Sequence, residues 1–440
     1  MCMIEIEKCV CNQEIDYIHM SCLEKSKEIN VFHFDKIILE NPMGYSIKLK
    51  IQNKEYTDFK NVVNNFTQNL LHLEMTYNKI TYIRKNLFQN VINLLTFDLS
   101  SNEIEQIEAS CFNNLSNLKE ANFSENKIKY IQKGIFNNLS SLENLNLFNN
   151  QIENIEINSF KGMDSLNNLN IAFNKIKVVK AGIFNNLKNL KIIFLYGNEI
   201  TIIEKNAFWG SFNLIGINLS SNKIKFITIE TFTKLGLLEI LSLLNNEIVN
   251  IEDNCFDDLV NLTDLYLESN KFSFVKVKNL NNLNSLRELS FQYNQISKID
   301  KYSFIGNENL KILSLHFNKI QTIRNETFNF LKKLEILIMD RNEIFEIEIN
   351  SFKGLHSLQE FYLYSNKIKS VKRDIFNNLT GLLTLNLALN EIEFIEQDAF
   401  QDTIMLNFLN LDSNKISSIK TKTFNNLINL KYLFLSKINF

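Results

Sequence analysis

Proline and glycine are scarce in this chain, which has one proline and 11 glycines among 440 residues. A fold with many tight turns would need more of both, because glycine supplies positive backbone angles and proline pre-sets a turn position. Long apolar runs are also lacking, and none approaches the roughly 18 residues of a membrane span. The sequence therefore predicts no membrane insertion within this chain.

An excess of charge of one sign is lacking as well. The chain has 47 lysines and arginines and 49 aspartates and glutamates, for a net charge of −2. This balance gives no electrostatic reason to expect nucleic acid or an acidic membrane as a partner. The first residues, MCMIEIEKCVC, lack the basic start and apolar core of a signal peptide. A true start upstream of Met1, a processed fragment and a cytosolic protein stay open.

One asparagine recurs every 24 residues without any insertion. Isoleucine follows it two residues later in all copies but one, which has Phe272, and isoleucine or valine follows five residues later in every copy. Phenylalanine follows ten residues later except at Leu280. The fifteen asparagines are Asn78, Asn102, Asn126, Asn150, Asn174, Asn198, Asn222, Asn246, Asn270, Asn294, Asn318, Asn342, Asn366, Asn390 and Asn414.

The unit reads LxxLxLxxNxIxxIxxxxFxxLxx. Its xLxLx segment alternates with period two, which predicts a short strand with inward leucines. The asparagine amide can bond to backbone groups of its own turn and of the adjacent copy. One unit cannot bury its apolar face alone, so the units are expected to stack around a shared core.

This pattern resembles the extracellular 24-residue class of leucine-rich repeat, as in Toll-like receptor ectodomains and related arthropod-type secreted or cell-surface proteins. The resemblance covers residues 70–435. It implies a repeat solenoid of horseshoe shape, with a curved parallel β-sheet on the concave face and mostly irregular or short 3-10 segments on the convex face. We predict a cysteine-containing cap at 1–45 and a solenoid at 46–440. The solenoid divides into a degenerate unit (46–69), regular units (70–429) and an incomplete unit (430–440).

Charge alternates between neighbouring copies. The residue after each asparagine is lysine in one copy and glutamate or glutamine in the next, as in Lys223 and Glu247. A later position has the same rhythm, with an acid in every second copy. Repeated duplication of a 48-residue doublet and selection for opposite charges on adjacent turns both account for it, and either assigns the alternation to the scaffold.

Four of the six cysteines precede the repeats. Cys2, Cys9, Cys11 and Cys22 allow three disulfide pairings, and a zinc site is the rival interpretation. The spacing resembles the N-terminal cysteine cap of extracellular leucine-rich repeat proteins, which implies Cys2–Cys11 and Cys9–Cys22 disulfides and an oxidising setting. Cys111 and Cys255 share one slot, roughly 29 Å apart along the stack, and are expected to be buried fillers.

Glycosylation motifs favour the same compartment, although chance produces many in so asparagine-rich a chain. Asn122 and Asn218 carry such motifs on outward strand positions, where a glycan would block the concave face. The predicted glycosylation sites are Asn65, Asn114, Asn138, Asn261, Asn325 and Asn378.

The sequence shows no catalytic constellation. Its five histidines are scattered, and no phosphate loop, zinc-protease motif or nucleophile elbow is present. We therefore predict no catalytic residues, no metal site and no cofactor. Rigid solenoids bind partners on an extended concave surface, and exposed aromatics with an arginine are typical of binding hot spots. The candidate ligand-binding residues form a first patch of Ile192, Phe194 and Tyr196 and a wider patch of Tyr266, Tyr293, His316, Phe317, Asp340, Arg341, Tyr362 and Tyr364.

The favoured interpretation is a non-catalytic extracellular protein that binds a protein partner on its concave face, in immune recognition, adhesion or receptor signalling. A glycan partner, a homodimer and a receptor complex stay open. A cytosolic leucine-rich repeat scaffold or regulatory subunit, and a truncated ectodomain of a transmembrane receptor, are the alternatives.

Overall fold

The structure, a computed structural model, describes residues 9–13, 17–22, 46–50, 57, 70–276 and 280–436. Cys2, Asn65 and most of the degenerate unit 46–69 lie outside the described residues. Two compact units divide the chain, Met1–Asn218 and Leu219–Phe440. Each is a parallel β-sheet solenoid, which confirms the predicted fold class.

Each copy from Asn78 to Asn390 has two strands. The longer one ends four residues before the asparagine and contributes to the main sheet, while a two-residue lateral strand follows the asparagine. In the first unit the main strands are Cys9–Gln13, Tyr17–Cys22, Ser46–Lys50, Leu70–Glu74, Thr96–Asp98, Glu120–Asn122, Asn144–Asn146, Asn168–Asn170, Ile192–Phe194 and Gly216–Asn218, and the lateral strands are Tyr82–Ile83, Gln106–Ile107, Tyr130–Ile131, Asn154–Ile155, Val178–Val179 and Ile202–Ile203.

The second unit repeats this arrangement. Its main strands are Ile240–Ser242, Asp264–Tyr266, Glu288–Ser290, Ile312–Ser314, Ile336–Ile338, Glu360–Tyr362, Thr384–Asn386, Phe408–Asn410 and Tyr432–Phe434, and its lateral strands are Phe226–Ile227, Asn250–Ile251, Phe274–Val275, Lys298–Ile299, Thr322–Ile323, Glu346–Ile347, Ser370–Val371 and Phe394–Ile395.

The main strands pair in parallel with an offset of one repeat. Leu145 lies opposite Leu169, which lies opposite Ile193. The first pair differs, because Cys9–Gln13 runs antiparallel to Tyr17–Cys22 and places Cys9 opposite Cys22. Tyr17–Cys22 then pairs in parallel with Ser46–Lys50. The register therefore brings equivalent positions of adjacent copies side by side.

The core consists of the inward leucines and isoleucines and a row of phenylalanines. In the first unit, the rings of Phe136, Phe160 and Phe184 stack with centroids 6.2 Å apart. In the second, Phe352 lies 6.3 Å from Phe376. These rings are almost completely buried, so truncation of one to alanine would cost about 3–5 kcal/mol. Backbone turns follow most of these phenylalanines, as where the Leu115 N–H donates to the Phe112 carbonyl.

The repeated asparagine joins successive copies, as predicted. The Nδ2 of Asn126 donates to the carbonyls of Phe123 and Ser124 in its own copy and of Leu99 in the preceding copy, at 3.0–3.1 Å. Its Oδ1 accepts from the N–H of Ile104 at 2.9 Å. The residue before each asparagine has a positive φ, for example 56° at Glu125, and this turn directs the amide inward.

The lateral strands pair with one another, which the sequence analysis did not predict. Their pairing shows that the 48-residue doublet is a structural unit of two copies. Among the described residues, each lateral strand pairs with one other lateral strand. Tyr130–Ile131 pairs with Asn154–Ile155, and Val178–Val179 pairs with Ile202–Ile203. The alternating glutamate extends six of these pairs. In one of them, Glu156 Oε2 accepts a hydrogen bond from the Lys133 N–H at 2.9 Å. The same bond is made by Glu108, Glu204, Glu252, Glu348 and Glu396.

Ion pairs connect one doublet to the next. The Nζ of Lys127 lies 2.6 Å from Glu103 in the preceding copy. Three further pairs, Lys271–Glu247, Lys367–Glu343 and Lys415–Glu391, have the same geometry at 2.8–3.0 Å. All are partly exposed to solvent, so each contributes little to stability. The glutamates that accept backbone hydrogen bonds thus hold the two copies of a doublet together, and the lysines that follow the asparagines bond one doublet to the preceding one.

We expect Asn318→Ala to lower the free energy of unfolding by about 2–4 kcal/mol, because it leaves the buried Ile296 N–H and Phe291 carbonyl unpaired. The control is Asn309→Ala, whose exposed side chain bonds to the Asn284 carbonyl and should cost less than about 1 kcal/mol. Urea denaturation of both variants tests this. Equal losses would contradict the role given to the asparagine.

Candidate functional site

The strand face is the set of side chains that point outward six, four and two residues before each asparagine. In the first unit it carries the predicted patch of Ile192, Phe194 and Tyr196, all half-buried. The rings of Phe194 and Tyr196 meet edge to face with centroids 6.3 Å apart. The structure therefore brings these three residues together on one strand and the turn after it.

Two phenylalanines that the sequence analysis missed extend this patch. Phe173 packs edge to face on Tyr196 and on Phe148, with centroids 5.4 Å apart in both cases. Its ring also lies against Gly197, where a Cβ atom would come within 3.1 Å of it. Phe148 occupies the slot of Tyr196 two copies earlier, so the repeat register could have identified it. We call Phe148, Phe173, Phe194 and Tyr196 the Phe173 cluster.

The wider patch in the second unit separates into two parts. One part, which we call the edge cluster, is a contact series of Tyr293, His316, Phe317, Arg341 and Tyr364. Tyr293 stacks on Phe317 at 4.3 Å, and the guanidinium of Arg341 lies 4.7 Å from the Phe317 ring and 5.5 Å from the Tyr364 ring. Tyr293, Phe317 and Arg341 directly precede asparagines, with φ between 51° and 54°.

The other part lies on the strands themselves. Tyr266 and Tyr362 occupy the same slot, and the strands Glu288–Ser290, Ile312–Ser314 and Ile336–Ile338 lie between them. Both tyrosines are half-buried. The Tyr362 hydroxyl donates to Glu360 at 2.6 Å, and burial together with this carboxylate raises the pKa of Tyr362 to about 12.

Carboxylates that the sequence analysis did not single out surround Tyr266. Glu268 is 6% exposed, and within the described residues its Oε2 has no hydrogen-bond partner. Burial raises the pKa of Glu268, and burial and the charge of Asp264 raise the pKa of Glu288. Burial and these acids raise the pKa of Tyr266. The group therefore holds negative charge that the protein compensates incompletely.

Asp340 lies beside the edge cluster. Its Oδ1 accepts a hydrogen bond from the Tyr364 N–H at 2.7 Å. Burial raises the pKa of Asp340 to about 6, although this bond and the charge of Arg341 act in the opposite direction. Burial and Arg341 lower the pKa of His316, whose Nδ1 lies 2.8 Å from the Ser314 hydroxyl.

Cys111 and Cys255 are buried free thiols, as predicted. Burial raises the pKa of Cys111 and that of Cys255, the latter to about 12, which keeps both thiols protonated and unreactive. Five predicted glycosylation asparagines have exposed side chains: Asn114, Asn138, Asn261, Asn325 and Asn378. Asn122 and Asn218 are half-buried on the strand face.

In the part of the chain that the structure describes, no group of three or more His, Cys, Asp or Glu side chains is arranged to hold a metal ion. No helix within those residues has the length and apolar character needed to cross a membrane. Together with the clusters above, the described surface offers aromatic, carboxylate and guanidinium groups for binding.

Family comparisons match most of the chain. Residues 58–191 match the family described as BspA type Leucine rich repeat region (6 copies). Residues 164–224, 212–272, 261–318, 308–368 and 357–416 match the family described as Leucine rich repeat. The second family alone covers more than half of the chain. No curated protein matches at a significant level.

Several solved structures share the fold. A Drosophila Toll chain in a Toll–Spatzle complex has a TM-score of 0.75 and 22% identity, covering 98% of this chain and 63% of that chain. A Leptospira interrogans leucine-rich repeat protein has a TM-score of 0.55 and 23% identity over 87% of this chain and 94% of that chain. A Listeria monocytogenes internalin has a TM-score of 0.53 and 20% identity, covering 71% of this chain and 86% of that chain.

These likenesses confirm the predicted resemblance to Toll-like receptor ectodomains at the level of the fold. The identities are below 25%, so they establish no more than the fold. The chain spans less than two thirds of the Toll chain that it matches. No catalytic family is indicated by the family matches.

The raised pKa of Asp340 predicts that the stability of the fold depends on pH. Its folded pKa of about 6 exceeds the value near 3.9 of an unfolded chain, so the folded state binds more protons between roughly pH 4 and 6. The contribution of Asp340 to stability is thus fully present below about pH 4 and is lost as the pH rises through 6. We expect the unfolding free energy of wild type relative to Asp340→Asn to be at least about 1 kcal/mol greater at pH 4.5 than at pH 7.5. A difference that does not change with pH would contradict the assignment.

Proposed function

Because the chain belongs to the leucine-rich repeat family, we propose that it is a non-catalytic extracellular binding protein that recognises a protein partner through its strand face. Immune recognition, adhesion and receptor signalling are the roles that this activity would serve. The proposed organisation is a cysteine-containing cap at 1–45 followed by a solenoid at 46–440. A cytosolic scaffold and a piece of a transmembrane receptor ectodomain are the alternatives.

The observation that carries this proposal is the pair of aromatic clusters on and beside the strand face. Tyr293 is 50% exposed and Phe173 is 49% exposed, and each is held by ring contacts with its neighbours. Rigid aromatics next to an arginine are the side chains that dominate protein–protein affinity. Arg341 is already oriented by Phe317 and Tyr364, so little side-chain entropy would be lost when a partner binds.

The structural relatives agree with a protein partner. The Drosophila Toll chain, which has the highest TM-score reported above, was solved in a complex with Spatzle. Nucleic acid is a poor candidate, because the strand slots of the described repeats contain carboxylates and no lysine or arginine. A glycan partner, a homodimer and a receptor complex are compatible with the same surface.

The cap supports an extracellular location. Residues directly opposite in an antiparallel pair have Cα atoms about 4.5–5.5 Å apart, which lies within the range that a disulfide spans. Cys9 and Cys22 are such a pair. This backbone register suits the Cys9–Cys22 disulfide that the family resemblance implies, and disulfides persist in oxidising compartments.

We expect protein from its native source to contain a Cys9–Cys22 disulfide, with Cys111 and Cys255 as free thiols. Mass spectrometry of non-reduced peptides after alkylation would identify the link. The same digest would report glycans on the exposed sites, such as Asn138 and Asn378. Free thiols at Cys9 and Cys22 would contradict the extracellular assignment and favour the cytosolic alternative.

Replacing Tyr266, Tyr362 and Arg341 together by alanine should weaken partner binding at least about tenfold, which corresponds to about 1.4 kcal/mol. The partner would be selected from an immobilised panel of secreted and cell-surface proteins, and the affinity measured by surface plasmon resonance. The matched control replaces Tyr302, Phe394 and Arg324, which are exposed off the strand face of the same unit. Unchanged affinity in the alanine variant of Tyr266, Tyr362 and Arg341 would contradict the proposal.

A further inference from the structure

Positive charge is excluded from the strand face of the second unit. The 24 outward slots that precede the eight asparagines from Asn246 to Asn414 contain six carboxylates and no lysine or arginine. Basic residues of this unit lie in other slots, where several pair with glutamates. The acids are Asp264, Glu268, Glu288, Asp340, Glu360 and Asp412.

One acidic group lies around Tyr266. Asp264 and Glu288 are direct neighbours in the register of adjacent strands. Glu268 adds a carboxylate that is 6% exposed and whose Oε2 accepts no hydrogen bond from the described residues. A buried anionic oxygen without a donor carries a desolvation cost that a cation would relieve.

A second acidic group lies on the strand of Tyr362. Glu360 is half-buried and bonded to the Tyr362 hydroxyl, and Asp340 lies in the preceding copy. The strands between the two groups present isoleucines at Ile312, Ile336 and Ile338, all half-buried. The surface thus runs from acidic through apolar to acidic along the stack.

The spacing of the two groups suits an extended chain. Four strand steps separate Tyr266 from Tyr362, which is ~19 Å at ~4.8 Å per step. An extended segment advances ~3.3 Å per residue and presents alternate side chains to one face. Residues six apart are therefore ~20 Å apart on the same face.

We propose that this strand face binds an extended segment of a partner protein that carries two basic residues six positions apart, with apolar residues facing the isoleucines between them. One basic side chain lies among Asp264, Glu268 and Glu288 against Tyr266, and the other lies at Glu360 against Tyr362. This inference rests on the proposed function and adds the chemistry of the partner.

Lysine or arginine suits both ends better than other cations. An ammonium or guanidinium group bonds to carboxylates and is attracted to the face of a tyrosine ring. The acidic side chains of the described residues form no metal-binding group, so a divalent cation is not the expected ligand. A polyanion such as a nucleic acid would be repelled by the same acids.

The test uses synthetic peptides and the full chain. The probe has the core Lys-Thr-Val-Thr-Val-Thr-Lys and a fluorescent label, and binding is followed by anisotropy at about 50 mM salt, where screening is modest. A peptide with both lysines adjacent and one with glutamate at both ends are compared with it. We expect the spaced lysine peptide to bind at least tenfold more tightly than the adjacent one, and the glutamate peptide not to bind.

The variant Asp264→Asn, Glu268→Gln, Glu288→Gln should weaken binding of the spaced peptide at least tenfold. Its matched control, Glu308→Gln, Glu346→Gln, Glu393→Gln, changes the same charge at exposed positions off the strand face and should bind within threefold of wild type. Circular dichroism verifies that both variants are folded.

Equal binding of the lysine and glutamate peptides, equal losses in the two variants, or no binding of the spaced peptide at a few millimolar would overturn the inference. The proposed function fails separately, through the alanine variant of Tyr266, Tyr362 and Arg341. A partner that depends on those residues and presents an acidic segment, or a second copy of this chain, would preserve the proposed function and refute this inference.

Discussion

The side-chain amide of the repeated asparagine is the interaction on which the rest of the structure depends. One buried amide bonds to carbonyls of its own turn, to a carbonyl of the preceding copy and to an N–H of that copy, as at Asn318. An inserted residue would move the amide relative to one of these partners and leave buried backbone groups unpaired, which is costly. This explains why fifteen copies keep a spacing of 24, and why every strand-face slot recurs in register.

Much of the fold was predictable because the period alone determines which residues share a row. The inward leucines, the row of phenylalanines and the asparagine contacts all follow from one aligned unit. The lateral strand pairs did not follow, because they depend on a carboxylate that bonds to a backbone N–H of another copy, as Glu156 does to Lys133. The slot pattern shows that these acids alternate, but it does not indicate that they accept backbone hydrogen bonds.

The sequence predicted which strand positions carry the candidate site, but it did not predict all of the residues of the site or their burial. Outward slots identified Tyr196 and Tyr266, yet Phe173 lies in the turn after a strand, where a positive φ of 53° directs its ring onto Tyr196. The burial of Glu268 depends on how its side chain packs against the next copy, and composition does not report that. The doublet also has a physical role, because glutamates such as Glu156 bond the two copies of a doublet and lysines such as Lys271 bond one doublet to the preceding one.

A net charge near zero conceals how charge is distributed over the repeat. Lysines and glutamates beside the asparagines cancel one another in pairs such as Lys271 and Glu247, so they contribute almost nothing to the total. The strand slots of the second unit contain carboxylates and no lysine or arginine, and burial together with the charge of Asp264 raises the pKa of Glu288. A regular scaffold can therefore keep its turns neutral and still hold negative charge on one face, and under the proposal above this charge would favour basic over acidic partner segments.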